Sequence, residues 1–303
     1  MGTNENNSWE IYEKIKNILL FKDNYIITDN VFHYTNIDTA FKILQNDKIQ
    51  FRMTNYEDFE DKTEGKVVEA FYDLALDKLE RENIIKEEER FYLSDIDLST
   101  EVVIRKTQEN GKIINICEIV DCNYYITCFS TIQDDNYMYE NYVKGINAIR
   151  KGVCLGFFGA ELFFRHNNFI SGAFVEGCKI LYGHEALDII YNRLKSLLTD
   201  QSLKQYRMSD ITIYAIQQML KTLKWRLKLG KYKKENEIRL VLAIPKNPSL
   251  ECAQLFKEQK VGSKRCMFFN LDKNCLYTIS VNKHAKKEFD SICEKIRNKG
   301  YNI

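Results

Sequence analysis

V-F-H-Y-T-N-I-D-T-A-F-K-I-L-Q-N-D-K-I-Q-F-R-M, residues 31–53, sets the character of this chain. Val31–Thr35 is β-branched and aromatic, the composition of a strand. Residues 36–46 carry apolar side chains at helical spacing, with Asn36 or Asp38 as the capping residue. Residues 48–53 return to a short strand. Upstream, residues 8–20 read as an amphipathic helix capped by Ser8. Downstream, an acidic stretch at 55–64 leads into a helix from about Lys66 to Leu79, and residues 80–121 read as a charged insertion.

Residues 123–130 are the next strand and residues 137–150 a helix. G-V-C-L-G-F-F, residues 152–158, is a continuous apolar strand buried on both faces. Residues 173–182 suggest a strand pair, and two helices follow at about 184–199 and 209–229. Residues 235–244 form a strand ended by Pro245. Strands at 266–271 and 276–281, a helix at 285–299 and a last strand at 301–303 complete the chain. Strands and helices alternate without the βαβ rhythm of a doubly wound sheet, so the expected class is α+β, as one domain over 1–303.

The chain has 303 residues, 45% of them hydrophobic, enough for a sizeable core. No apolar run reaches the roughly 18 residues of a membrane span, and the polar start does not resemble a signal peptide. The nine cysteines lack paired zinc-ligand spacing, so they read as free thiols in a reducing cytoplasm, and no metal is expected. A net charge of +1 hides a gradient. Residues 1–100 carry a balance of −10 and residues 201–303 one of +13, which points to a polyanion site in the last third.

Three constellations could carry chemistry. His33, one of four histidines, stands with Tyr34 and Thr35 near a strand end, where an imidazole and two hydroxyls can hold a sugar. Glu235, Glu237 and Arg239 sit two apart on a strand and share a face, either as an ion ladder or as a carboxylate placed to stabilise an oxocarbenium-like sugar. Residues 221–234 hold Lys221, Lys224, Arg226, Lys228, Lys231, Lys233 and Lys234 with no acid between them. That segment suits nucleic-acid phosphates or a solvated helix face. The acidic run 57–65 lacks EF-hand spacing.

In order and spacing these pieces resemble the bacterial family catalogued as domain of unknown function 2971. The elements are His33-Tyr34-Thr35, the helix before Ile49, Arg52, Glu60 to Glu64, Cys128-Phe129-Ser130, Met138-Tyr139-Glu140-Asn141-Tyr142, Gly152 to Phe157, and Glu235 to Arg239. The likeness covers residues 28–303. Glu60 and Lys62 stand where that family has Asn and Pro, and Tyr139 where it has Trp. The family in turn resembles the ADP-ribosyltransferase superfamily, which implies a mixed or antiparallel sheet core with surrounding helices and NAD as substrate.

By that likeness Glu237, His33 and Arg52 are catalytic. Tyr34, Thr35, Ser130, Tyr139, Tyr142, Glu235 and Arg239 contact NAD. The implied function is a toxin or anti-phage effector that modifies nucleic acid, with a cognate antitoxin or defence partner. The rival readings are a catalytically inert module that binds nucleic acid or protein, and an NAD glycohydrolase. The enzyme reading requires His33 and Glu237 to face one cleft.

Overall fold

The computed structural model describes residues 4–19, 30–59, 61, 63, 66–96, 102–109, 112–119, 122–143, 151–164, 169–170 and 173–303. Glu60, Lys62 and Glu64 of the acidic motif lie outside them, as do residues 144–150. In chain order the first elements are α1 (Asn4–Leu19), β1 (Val31–Asn36), α2 (Ile37–Ile43), β2 (Ile49–Asn55), α3 (Val67–Arg81), α4 (Glu87–Ser94), β3 (Val102–Glu109) and β4 (Lys112–Ile119). Then come β5 (Cys122–Ser130), α5 (Asn136–Tyr142), β6 (Gly152–Phe157), α6 (Gly159–Phe164), β7 (Phe169–Ile170), β8 (Ala173–Lys179), β9 (Leu181–Tyr182), α7 (His184–Thr199) and α8 (Asp210–Leu223). The last are β10 (Leu227–Lys228), β11 (Glu237–Pro245), α9 (Leu250–Leu255), β12 (Gln259–Val261), β13 (Lys264–Leu271), β14 (Leu276–Val281) and α10 (Phe289–Asn298).

The chain packs as two compact units, each assembled from three stretches. The first comprises Met1–Asn24, Asp61–Asp121 and Leu181–Lys231. Its core is helical: Ile15 and Leu19 of α1, Leu76 and Leu79 of α3, Leu93 of α4, Ile190 and Leu194 of α7, and Ile216 and Leu220 of α8 are buried together. The 80–121 insertion supplies α4 and the antiparallel β3–β4 hairpin. Gly183 turns the chain into α7 at φ 55, and a Cβ there would stand 3.2 Å from the Gly230 Cα. Glycine meets both constraints at once.

The second unit comprises Tyr25–Glu60, Cys122–Ile180 and Tyr232–Ile303 and holds a ten-stranded sheet. Every pairing in that sheet is antiparallel. The class is therefore α+β, as the element order predicts. The sheet forks at β5. One edge of β5 pairs along its whole length with β11. The other edge is shared: Thr54 and Asn55 of β2 meet Ile126 and Tyr125, while Phe32 of β1 meets Ser130. From the fork one arm runs through β2, β13 and β12, and the other through β1, β6 and β14.

One face of the sheet packs Phe51, Phe129, Leu155, Phe157, Leu240 and Phe269 against α2, α9 and α10. The other face is covered near the fork by Met138 and Tyr139 of α5, against Phe32, Tyr34 and Cys154. At α2 the cap is Asn36, whose Oδ1 accepts from the Thr39 backbone N–H at 2.8 Å, a contact worth about 1 kcal/mol.

Several boundaries differ from the sequence reading: α2 ends at Ile43, α5 ends at Tyr142, and α10 starts at Phe289. α1 starts at Asn4, so Ser8 lies within the helix rather than at its cap. α8 stops at Leu223, because the backbone then turns to pair Leu227 and Lys228 in parallel with β9. Residues 301–303 form no strand; Tyr301 instead donates its hydroxyl to the carbonyls of Gln45 and Lys48. β11 begins at Glu237, not Glu235.

Candidate functional site

All ten residues singled out for chemistry lie in the second unit, most of them around the fork. Register decides which can act together, since side chains directly opposed across strands share a face and neighbours along a strand do not. Ser130 is opposed by Phe32 on one side and Glu237 on the other, so these three side chains share a face. Tyr34 and Arg52 fall on that face by alternation. Arg239 joins it, between Cys128 and Cys178. His33 and Thr35 point the other way. The His33 ring packs 5.3 Å from Phe51 and 5.7 Å from Phe129, both on the apolar face. The expected cleft shared by His33 and Glu237 is therefore not formed: the sheet stands between them.

Glu237 is committed to Arg239. The guanidinium Nε donates to Oε1 at 2.7 Å and a terminal nitrogen lies 3.4 Å from Oε2. The two side chains are 4% and 1% exposed, so each stands almost wholly out of water. A charge in such a place persists because it is paired, and the pairing holds the carboxylate on a cation rather than toward a ligand. The Cys178 thiol beside them is pushed up to about 12, chiefly by its own burial.

Glu235 does not extend this row. It ends a 3-10 turn, Gly230–Glu235, and Asn236 at φ 41 breaks the alternation before β11 starts. The Glu235 carbonyl instead accepts the Ser130 hydroxyl at 2.7 Å, and Ser130 Oγ accepts from the Ile132 N–H at 3.1 Å. Ser130 thus anchors the β5–β11 junction.

His33 donates from Nδ1 to the Cys128 carbonyl at 3.0 Å; a carbonyl only accepts, so Nδ1 carries a proton. Burial holds its pKa below 6.5, and the carbonyl contact offsets part of that. Stability follows in sign. Above 6.5 the histidine is neutral in both states. Below it the unfolded chain takes the proton first, so stability falls as pH drops toward the folded value. Wild type is expected to lose stability more steeply than His33→Gln between about pH 7 and 5, by at most about 1.4 kcal/mol per pH unit. Urea midpoints across that range check it. Equal slopes would mean that the imidazole is hydrated.

The tyrosines build a polar knot at the fork. Tyr34 donates to the Ile132 carbonyl at 2.6 Å and accepts from the Asp135 N–H at 3.0 Å. Tyr139 donates to Asp134 at 2.9 Å, and its ring meets that of Tyr34 edge-on at 5.0 Å. Cys154, Asp134, Asp135 and Ser280 complete this knot, and the last three escaped the sequence reading. The signal for Asp135 was present: an Asp opening N-Y-M-Y, whose Oδ1 accepts from the Met138 N–H as an N-cap. Tyr142, at the end of α5, is 40% exposed, and Arg52 is exposed on β2.

Of the basic segment, Lys221 and Lys228 are buried, Lys224 and Arg226 half-buried, and Lys231, Lys233 and Lys234 exposed on the Gly230–Glu235 turn. Other cations of the last third serve the fold. Arg265 binds Glu57 and Asp58, and Lys299 donates to the carbonyls of Phe41 and Leu44. Among the described residues no helix is long and apolar enough to cross a membrane. No family model, curated protein or solved structure matches this chain.

Proposed function

We propose that this chain is a catalytically inert, ADP-ribosyltransferase-like scaffold that binds nucleic acid through the exposed lysines of the Gly230–Glu235 turn. One observation carries the inert half of this reading: Glu237 is held by Arg239 in a nearly solvent-free pair, on the sheet face opposite His33. A carboxylate that is to stabilise positive charge on a ribose must reach the sugar and strengthen its contact as the charge grows. Glu237 spends its charge on Arg239 before any ligand arrives. The binding half rests on Lys231, Lys233 and Lys234, which stand in solvent within four residues with Tyr232 among them. Adjacent lysines of this kind neutralise successive phosphates.

Two measurements test it. Fluorescence anisotropy with labelled single-stranded and duplex oligonucleotides, across a salt series, should give a log-log slope that shrinks by about 2 to 3 in Lys231→Gln/Lys233→Gln/Lys234→Gln. A slope that the triple variant leaves unchanged removes these lysines from the interface. Incubation with labelled NAD should release nicotinamide no faster than buffer does, and faster release would overturn the inert assignment.

The NAD-consuming reading keeps one observation in its favour. Tyr34, Arg52, Ser130, Glu237 and Arg239 do share a face at the fork. A transferase or glycohydrolase built on that face would work without His33 and would have to part Glu237 from Arg239.

A further inference from the structure

A second place in the molecule is shaped for a ligand, lined by none of the residues assigned to the site at the fork. At the β14 edge of the sheet a cavity of about 280 Å³ opens between Phe158, Lys273, Asn274, Leu276, Tyr277 and the Gly300–Asn302 segment. Its wall carries an aromatic pair. The Phe158 ring, 43% exposed, lies 5.0 Å from that of Tyr277 at an interplanar angle of 34°. This pair offers a ligand ring an aromatic surface on the cavity wall.

The cavity also holds a positioned cation. Lys273 donates to the Lys299 carbonyl at 2.6 Å, and its ammonium stands 5.1 Å from the centre of the Tyr301 ring. No carboxylate pairs with it among the described residues. An ammonium carries three N–H donors, and one is engaged by that carbonyl. Gly300, at φ 84, keeps the space beside it open: a Cβ there would stand 3.1 Å from the Lys273 Nζ. Asn274 and Asn302 complete the lining.

We infer that this cavity binds a small planar aromatic anion, one ring system bearing a carboxylate or a phosphate. The ring lies against Phe158 and Tyr277, the anionic group takes the remaining Lys273 donors, and the asparagine amides bond the ring edge. The volume, about 280 Å³, lies just below the range of ligand pockets, which starts at about 300 Å³, so one ring system fits and a dinucleotide does not.

The test is calorimetric titration of the full chain with four probes. Salicylate is an aryl carboxylate and phenyl phosphate an aryl phosphate. Adenosine supplies a ring without an anion, and inorganic phosphate an anion without a ring. One of the two aryl anions should bind, and which one does so tells carboxylate from phosphate. Adenosine and inorganic phosphate should each bind about tenfold more weakly or not at all. Phe158→Ala, at an exposed position that leaves the core intact, should weaken the aryl anion by about two- to tenfold. Lys273→Met should weaken it by about tenfold and flatten its salt dependence. Because Lys273 also holds the Lys299 carbonyl, its melting curve is compared with wild type, and Phe158→Ala alone suffices if that variant unfolds. Silence from both aryl anions overturns the assignment. So does equal binding of adenosine, or binding that the Phe158 variant leaves unchanged.

Discussion

Arg239→Met is expected to destabilise the protein by about 3–5 kcal/mol, the cost of leaving a buried charge without its counter-ion. The guanidinium is 1% exposed and the Glu237 carboxylate 4%, so water cannot replace the lost contact without opening the sheet. Glu237→Gln keeps an oxygen for the Arg239 donors and should cost less, about 1–3 kcal/mol. Replacing both residues together, Glu237→Leu with Arg239→Met, should recover most of the loss, because two apolar side chains of similar volume need no pairing. The readout is the urea midpoint, with an unchanged m-value showing that the unfolding event is the same. A double variant as unstable as Arg239→Met alone would show that the guanidinium serves partners other than this carboxylate. An Arg239→Met loss under about 1 kcal/mol would mean that Glu237 is hydrated, and would reopen the case for it as a catalytic group.

Phe51→Ala should cost a similar amount, about 3–5 kcal/mol. Phe51 is 1% exposed and stands at the centre of a ring cluster, 5.3 Å from His33, 5.1 Å from Phe129 and 5.2 Å from Phe157, all met edge-on. Its removal leaves a cavity that three rigid rings cannot close. It also takes away one wall of the His33 environment, so the low pKa of that imidazole should relax toward its ordinary value. In a Phe51→Ala background the pH-dependent part of stability that His33→Gln removes should shrink, a coupling that a double-mutant cycle reads directly. Full additivity would show that Phe51 does not desolvate the histidine.

The α+β class followed from the irregular order of strands and helices, and most elements were visible in local patterns. Residues 31–53 folded as strand, helix and strand, with one of the two expected caps, Asn36, in use. The alternating row Glu235, Glu237, Arg239 was readable only in part. Alternation holds while the backbone stays extended, and Asn236 at φ 41 cuts Glu235 out of it. The 209–229 helix was overextended because its amphipathic pattern ran on into residues that tertiary pairing claims for β10. The cavity at Phe158 drew on three separate stretches of chain and left no mark in any one of them.

Sequence by itself settled where most strands and helices lie and the charge imbalance between the two ends. It could place Glu237 with Arg239, because parity along one strand is a local property. Whether His33 joins them depends on how strands 200 residues apart are aligned, and a shift of one residue in that register exchanges the two faces. The three-dimensional packing of the fork fixed that alignment, and with it the separation of the imidazole from the carboxylate. The reason is physical: hydrogen bonding between strands is indifferent to side-chain identity, so register is set by the apolar face that must be buried.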